Sequence, residues 1–188
     1  MATDDHIGKR EHEDDYFRKQ DRELIEKMRK AAAAEDARRA LGAKSAIQDP
    51  DLLAEIARLG FTADTVSLLP LVPILEVAWA EGGVSPAERG LILEVARSRG
   101  VGEGSAADRQ LAEWLAHRPP ADVFSRARRL IAAMLSAGPG TTPDLSADDL
   151  VKYCESIAAA SGGILGLGKV SSGERAVIEQ IQQALKNR

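Results

Sequence analysis

Apolar residues recur at helical spacing along most of the chain after residue 49. The clearest case is segment 121–137, in which apolar positions return every three or four residues and form a broad face. These positions are Val123, Phe124, Ala127, Leu130, Ile131, Met134 and Leu135. No segment alternates apolar and polar residues between turn signals, as a half-buried strand does. The pattern predicts an all-α fold.

Helix start and stop signals divide this region into a helical bundle. Each predicted start pairs an N-cap residue with a proline or an acidic residue in the first turn. The starts are Asp49-Pro50, Ser85 with Glu88, Ser105 with Asp108, Ser146 with Asp149, and Ser171 with Glu174. Gly60, Gly100 and the pair Pro119-Pro120 are stops, while Pro70 and Pro73 predict a new helix near them. We expect a bundle of about seven helices.

The chain before residue 45 has a different pattern, with charges of both signs and few large apolar residues. Phe17, Leu24 and Met28 are spaced i, i+7, i+11 and form one narrow helical stripe. This pattern predicts an extended helix over about 11–41, which Gly42 ends. Two interpretations stay open: a solvated helical tail, or a helix that docks on a partner or self-associates. We therefore divide the chain into a charged arm (1–45) and a bundle (46–188).

One motif occurs twice within the bundle. The pair Gly82-Gly83 aligns with Gly162-Gly163 if residues 164–169 are treated as an insertion. The pair Glu88-Arg89 then aligns with Glu174-Arg175. Each copy consists of a helix end, a glycine turn and a capped helix start. The sequence therefore predicts a duplicated helical hairpin.

Composition excludes several functional classes. The formal net charge of −4 argues against general nucleic-acid binding, which depends on neutralising phosphates. The single cysteine, Cys154, fits a reducing compartment and a buried position on an apolar helix face. The first residues lack signal-peptide features, and no apolar run approaches the ~18 residues that span a bilayer. We expect a cytoplasmic protein without a membrane span.

The first glycine turn carries a candidate cation site. Glu81 lies at a helix end, where the helix dipole disfavours a carboxylate, and Glu88 lies in the first turn of the next helix. Two carboxylates and backbone carbonyls can hold Ca²⁺ or Mg²⁺ weakly. The alternative is that Glu88 only completes a capping box and Glu81 is solvated. The second copy has Ser161 in place of Glu81.

A second candidate site is the glycine-rich segment 162–169. Residues 163–169 satisfy the first seven positions of a P-loop, but Val170 stands where a Mg²⁺-binding hydroxyl belongs. The alternative interpretation is an apolar loop, 164–167, that meets the bundle or a partner. No nucleophile–base pair accompanies it, so we expect no catalysis. The basic spot of Arg126, Arg128 and Arg129 is interpreted as a solvated face.

Residues 71–89, which include Ala-Trp-Ala-Glu-Gly-Gly-Val-Ser-Pro-Ala-Glu-Arg, resemble the TerB-like family of tellurite-resistance proteins. The resemblance covers about 50–185. It implies a helical bundle, a role in tellurite or general stress responses of bacteria, no enzymatic activity, and a divalent-cation site at clustered acids. The matching acids are Glu81, where the family usually has aspartate, and Glu88.

The arm itself is similar to another class of protein. Residues 16–24, with Tyr16-Phe17-Arg18-Lys19-Gln20 and Glu23-Leu24, resemble the helical inhibitors of mitochondrial-type ATP synthase. Taken together, these observations favour a non-catalytic interaction or regulatory module that binds protein partners through the arm or the 164–167 loop. A small enzyme or nucleotide-binding protein that uses segment 162–169 is the alternative.

Overall fold

A computed structural model describes residues 5–45, 47–136, 146–161 and 170–186. In these ranges the chain is helical, with eight α-helices, one 3-10 helix and no strand. The predicted all-α fold is confirmed. The α-helices are α1 (Asp5–Ser45), α2 (Pro50–Arg58), α3 (Val72–Ala78), α4 (Pro86–Ser98), α5 (Ala106–Ala116), α6 (Ala121–Ser136), α7 (Ala147–Ser161) and α8 (Ser172–Lys186). The chain divides into two compact units, Met1–Arg39 and Ala40–Arg188.

The predicted helix starts are confirmed by their hydrogen bonds. The Asp49 carboxylate accepts the amides of Asp51 and Leu52 at 2.8 and 3.2 Å, and Pro50 opens α2. Such bonds satisfy donors that the first turn of a helix leaves free. Gly60 and Gly100 follow α2 and α4 with φ of +86° and +81°, so these two positions favour glycine.

The two prolines near residue 70 set the start of α3. Pro70 lies inside a 3-10 helix (Val66–Leu71), and Pro73 lies in the first turn of α3. Proline is tolerated at position 73 because the first amides of a helix have no intrahelical acceptor. The break predicted between Thr62 and α3 is therefore confirmed.

Helix α1 differs from the prediction at its C-terminal end. It continues through Gly42 to Ser45, so the prediction that Gly42 ends the helix is wrong. A Cβ at Gly42 would lie 3.2 Å from the Ile47 carbonyl oxygen and 3.2 Å from Leu53 Cδ1. The glycine provides space for close packing rather than a left-handed stop.

The duplicated hairpin forms the centre of the unit Ala40–Arg188. Its first copy is α3 with α4, and its second copy is α7 with α8. The first helices of the copies, α3 and α7, pack against each other, and α3 also packs against α8 while α4 packs against α7. Helix α6 covers α3 and α8, α2 packs on α6, and α5 packs on the 3-10 helix. Each hairpin thus supplies much of the other's buried surface.

The basic spot on α6 is only partly solvated. Arg126 and Arg129 are exposed, as predicted, but Arg128 is largely buried and its Nη1 lies 2.7 Å from Glu76 Oε1. Burial raises the pKa of Glu76, and the Arg128 guanidinium opposes this increase. The prediction was wrong for Arg128 because its partner lies on α3, distant in sequence.

No helix in the described ranges is both long enough and apolar enough to cross a bilayer. Helix α1 has the necessary length, but its charged composition makes it polar.

Candidate functional site

The candidate site is built on the turn that joins α3 to α4. Helix α3 ends at Ala78, and the Gly82 amide donates to the Trp79 carbonyl at 3.1 Å with φ of +88° at Gly82. This left-handed conformation needs a glycine. The turn reverses the chain, and Ser85 then caps α4.

Glu88 completes the predicted capping box. Its Oε2 accepts the Ser85 amide at 2.7 Å, while the Ser85 hydroxyl accepts the Glu88 amide at 3.3 Å. The side chain is only 2% exposed. Burial raises the pKa of Glu88, since it disfavours the charged form; the Ser85 hydrogen bonds lower this pKa, and the charges of Glu174 and Glu81 raise it further.

Glu174 repeats this arrangement in the second copy. Its Oε2 accepts the Ser171 amide at 2.8 Å, the Ser171 hydroxyl accepts the Glu174 amide at 3.1 Å, and the side chain is 1% exposed. A Cβ at Gly173 would lie 3.5 Å from the Ala80 carbonyl oxygen, so the second cap adjoins the first turn. The two buried carboxylates therefore belong to one neighbourhood of the fold.

Sequence reasoning did not include Glu174 among the site residues. The alignment of Glu88 with Glu174 was the available signal, because the two glutamates hold equivalent positions in the two copies of the hairpin. Packing of α3 against α8 is what brings the second cap to the first turn. That packing cannot be read from either motif alone.

Glu81 lies three residues beyond the last residue of α3 and is exposed. Its charge contributes to the raised pKa of Glu88. Among the described residues, no group of three or more His, Cys, Asp or Glu side chains is arranged to hold a metal ion. One oxygen of Glu88 is already used by the capping box. A Ca²⁺ or Mg²⁺ site at Glu81 and Glu88 therefore stays a prediction.

Two hydrogen bonds also join the first hairpin to the end of α5. Arg89 Nη2 donates to the Leu115 carbonyl at 2.8 Å, and Trp79 Nε1 donates to the Trp114 carbonyl at 2.9 Å. Both acceptors lie in the last turn of α5, where carbonyls lack intrahelical partners. These bonds were not predicted, because nothing in the local sequence identifies a distant carbonyl as a partner.

Cys154 is fully buried on α7, as predicted. Burial, together with the charges of Glu76 and Glu155, raises the pKa of its thiol to about 12. A thiol in this environment stays protonated near neutral pH and is a poor nucleophile. Its contribution is therefore to packing.

The unit Met1–Arg39 carries an exposed apolar patch. Leu24, Ile25 and Met28 are 56%, 49% and 63% exposed, and they are the large hydrophobic residues exposed in the described part of the chain. Three ion pairs along the same helix join side chains three or four residues apart: Lys30–Glu26, Arg38–Glu35 and Arg39–Asp36. Exposed charged side chains flank the patch on the same helix.

Comparisons with protein-family models, with curated proteins and with solved structures give no match to this chain. The resemblance to the TerB-like family therefore stays a prediction. Segment 162–169, with its P-loop-like glycines, and the apolar loop 164–167 lie outside the described residues. The predictions made for them also stay open.

Proposed function

We propose that the protein is a non-catalytic interaction or regulatory module that binds a protein partner through the charged arm. The observation that carries this proposal is the exposed patch of Leu24, Ile25 and Met28. Large exposed apolar side chains are otherwise absent from the described part of the chain. Clustered apolar residues with a polar rim are typical of protein-binding helices.

The energetics of the arm support this proposal. Its side-chain ion pairs are solvent-exposed, and such pairs each contribute only about 0.3–0.5 kcal/mol to a helix. Helices draw most of their stability from packing an apolar face. Burial of Leu24 and Met28 against a partner would supply that packing.

The resemblance to TerB-like proteins supports a more specific proposal. In it the module acts in the cytoplasm of a bacterium, in tellurite or general stress responses. A weak Ca²⁺ or Mg²⁺ site at Glu81 and Glu88 belongs to the same proposal. The 164–167 loop is a second proposed contact.

The experiment compares full-length wild-type protein with the double variant Leu24→Ser/Met28→Ser. Each protein is immobilised and exposed to extract from the native host, and bound proteins are identified by mass spectrometry. We expect one or more specific partners to be lost from the variant, because serine removes the apolar contact. Lys27→Gln/Lys30→Gln is the matched control on the same helix and should retain them.

Two further measurements test for self-association and for nucleotide binding. Sedimentation velocity of the purified proteins tests whether the partner is a second copy of the chain, in which case the double variant is monomeric. Thermal denaturation with ATP tests the nucleotide-binding alternative, since a ligand at 100 times its Kd adds about 2.7 kcal/mol of stability. An ATP-dependent shift, or unchanged partners with Leu24→Ser/Met28→Ser, contradicts the proposal.

A further inference from the structure

A cavity of about 750 Å³ opens in the unit Ala40–Arg188, away from the duplicated turn. Its walls come from the end of α1, the 3-10 helix and the segment that leads into it, the turn after α4, the start of α5 and the end of α6. Ligand-binding pockets in proteins commonly measure about 300–1,000 Å³. The cavity is therefore large enough for a small organic molecule.

The floor of this cavity is aliphatic. Its larger buried apolar residues are Ile47, Val66, Leu69, Val101, Ile131 and Met134. Among the described residues that line the cavity there is no Phe, Tyr or Trp. Nucleobases and other flat rings are usually held by stacking on aromatic side chains. The lining therefore favours a flexible aliphatic ligand over an aromatic one.

The rim of the cavity is cationic. Among the described residues, the lining includes the cations Lys44, Arg99 and Arg109 and one acid, Asp64. This local excess of positive charge contrasts with the formal net charge of −4 for the whole chain. A group of cations at the mouth of an apolar cavity favours a ligand with an anionic end.

Two of these cations have hydrogen-bonding capacity available for a ligand. No hydrogen bond or ion pair of the Lys44 side chain is seen within the described ranges, and this side chain is exposed. The Arg99 guanidinium carbon lies 5.4 Å from the centroid of the Tyr153 ring, and Arg99 Nε is a buried donor with no hydrogen-bond partner. Buried donors are normally satisfied, so an unpaired one beside a cavity needs an explanation.

We propose that this cavity binds a fatty carboxylate. The hydrocarbon chain packs on the aliphatic floor, and the carboxylate lies at the rim among Lys44, Arg99 and Arg109. Apolar contact stabilises the chain in proportion to the area removed from water. The cations provide charge-assisted hydrogen bonds to the carboxylate. This site is separate from the proposed partner-binding patch and does not depend on it.

The test uses full-length protein and dodecanoate, with binding measured by isothermal titration calorimetry and by the shift in thermal midpoint. Acetate tests the headgroup alone, and dodecyltrimethylammonium tests an equally long chain with the opposite charge. We expect dodecanoate to bind and to raise the thermal midpoint. Acetate and the cationic amphiphile should do neither at the same concentration. Dodecyl phosphate distinguishes a carboxylate site from a general anion site.

Variants locate the site. Lys44→Gln and Arg99→Gln should each weaken dodecanoate binding by about tenfold, as expected for one lost charge-assisted contact. Lys152→Gln is the control, because Lys152 is an exposed lysine that does not line the cavity. Ser67→Phe should block binding by filling the cavity with a ring. The thermal midpoint without ligand shows whether each variant is folded.

Several outcomes overturn the proposal. These are the absence of dodecanoate binding at millimolar concentration, equal binding of dodecyltrimethylammonium, or equal weakening by Lys44→Gln and Lys152→Gln. Tighter binding of dodecyl phosphate than of dodecanoate overturns the choice of a carboxylate. Full binding to a folded Ser67→Phe variant places the ligand elsewhere.

Discussion

The two hairpins share one capping arrangement and differ in the residues on either side of it. In both, a serine caps the second helix and a buried glutamate, Glu88 or Glu174, returns a hydrogen bond to the serine amide. The position before the glycine turn differs, with Glu81 in the first copy and Ser161 in the second. The following arginine also differs, since Arg89 binds the end of α5 whereas Arg175 is exposed.

This comparison separates a structural role from a functional one. A feature found buried and hydrogen-bonded in both copies is explained by helix capping, which each hairpin needs equally. A feature found in only one copy is not explained by this shared need, so it is a candidate for a role specific to that copy. On this argument the buried glutamates stabilise the fold, and Glu81 and Arg89 distinguish the first hairpin.

Substitution of the two arginines should give the largest difference in unfolding free energy between the copies. Arg89→Ala removes the hydrogen bond to the Leu115 carbonyl, and bonds of this kind contribute about 1.5–3 kcal/mol. Arg175→Ala removes an exposed side chain for which no hydrogen bond or ion pair is seen in the described ranges, so a change within about 0.5 kcal/mol is expected. Urea denaturation measures both free energies of unfolding. Equal losses for the two variants would contradict the asymmetry.

The caps should behave alike in both copies. Ser85→Ala and Ser171→Ala each remove the hydroxyl that accepts an amide, and loss of an N-cap costs about 1 kcal/mol. The glutamate can still accept the amide of the residue at the cap, so half of each capping box remains. Urea denaturation of the two variants should give similar losses.

An exposed serine elsewhere provides the control for the caps. The Ser98 hydroxyl donates to the Val95 carbonyl at the end of α4 and caps no helix start. Ser98→Ala should change stability by no more than about 0.5 kcal/mol. A Ser171→Ala variant as stable as Ser98→Ala would show that the second cap contributes nothing.

Local signals predicted most of the fold. N-cap residues, prolines at helix starts and left-handed glycines act within one or two turns, so their effect can be read from a few neighbouring residues. The capping boxes at Ser85 and Ser171 and the break before α3 were predicted on this basis and are confirmed.

Predictions from the sequence were wrong where a residue distant in the chain determines the local structure. Gly42 does not end α1 but lies where a Cβ would come within 3.2 Å of Leu53, a residue of another helix. Arg128 is largely buried, because it pairs with Glu76 on another helix. The cationic cavity and the proximity of Glu174 to the first turn also depend on tertiary packing, which local patterns do not encode.

The dependence of folding stability on pH tests the raised pKa of the buried glutamate Glu88. The pKa of Glu88 is raised in the folded state, so its contribution to stability is fully present below the ordinary glutamate pKa of about 4.3. That contribution is lost as the pH rises through the raised pKa. Wild-type protein should therefore gain stability relative to Glu88→Gln when the pH is lowered from about 7 to 4.5. Glutamine can still accept the Ser85 amide, so the capping bond is retained.

The control for this titration lies on the same helix. Glu94 is exposed on α4, and Glu94→Gln should show no comparable dependence on pH. The opposing effect of Asp108, whose pKa is lowered by the Gly104 amide and Arg97, is common to all three proteins and cancels in the differences. If the difference in unfolding free energy between wild-type protein and Glu88→Gln is constant over this pH range, the pKa of Glu88 is not raised in the folded state.

The smallest expected effect concerns Glu81, the acid found only in the first copy. Glu81→Gln should raise stability in the absence of metal by a few tenths of a kcal/mol, because it removes a charge near the C-terminal end of α3 and near Glu88. If the proposed cation site exists, the same change should abolish stabilisation by Ca²⁺ or Mg²⁺, with wild-type affinity at best ~10⁻⁴–10⁻³ M. Thermal denaturation and calorimetry measure both effects, and Glu103→Gln, at another exposed loop glutamate, is the control. If wild-type protein gives no heat with millimolar Ca²⁺ or Mg²⁺, the turn binds no cation, and the Glu-Gly-Gly sequence only connects α3 to α4.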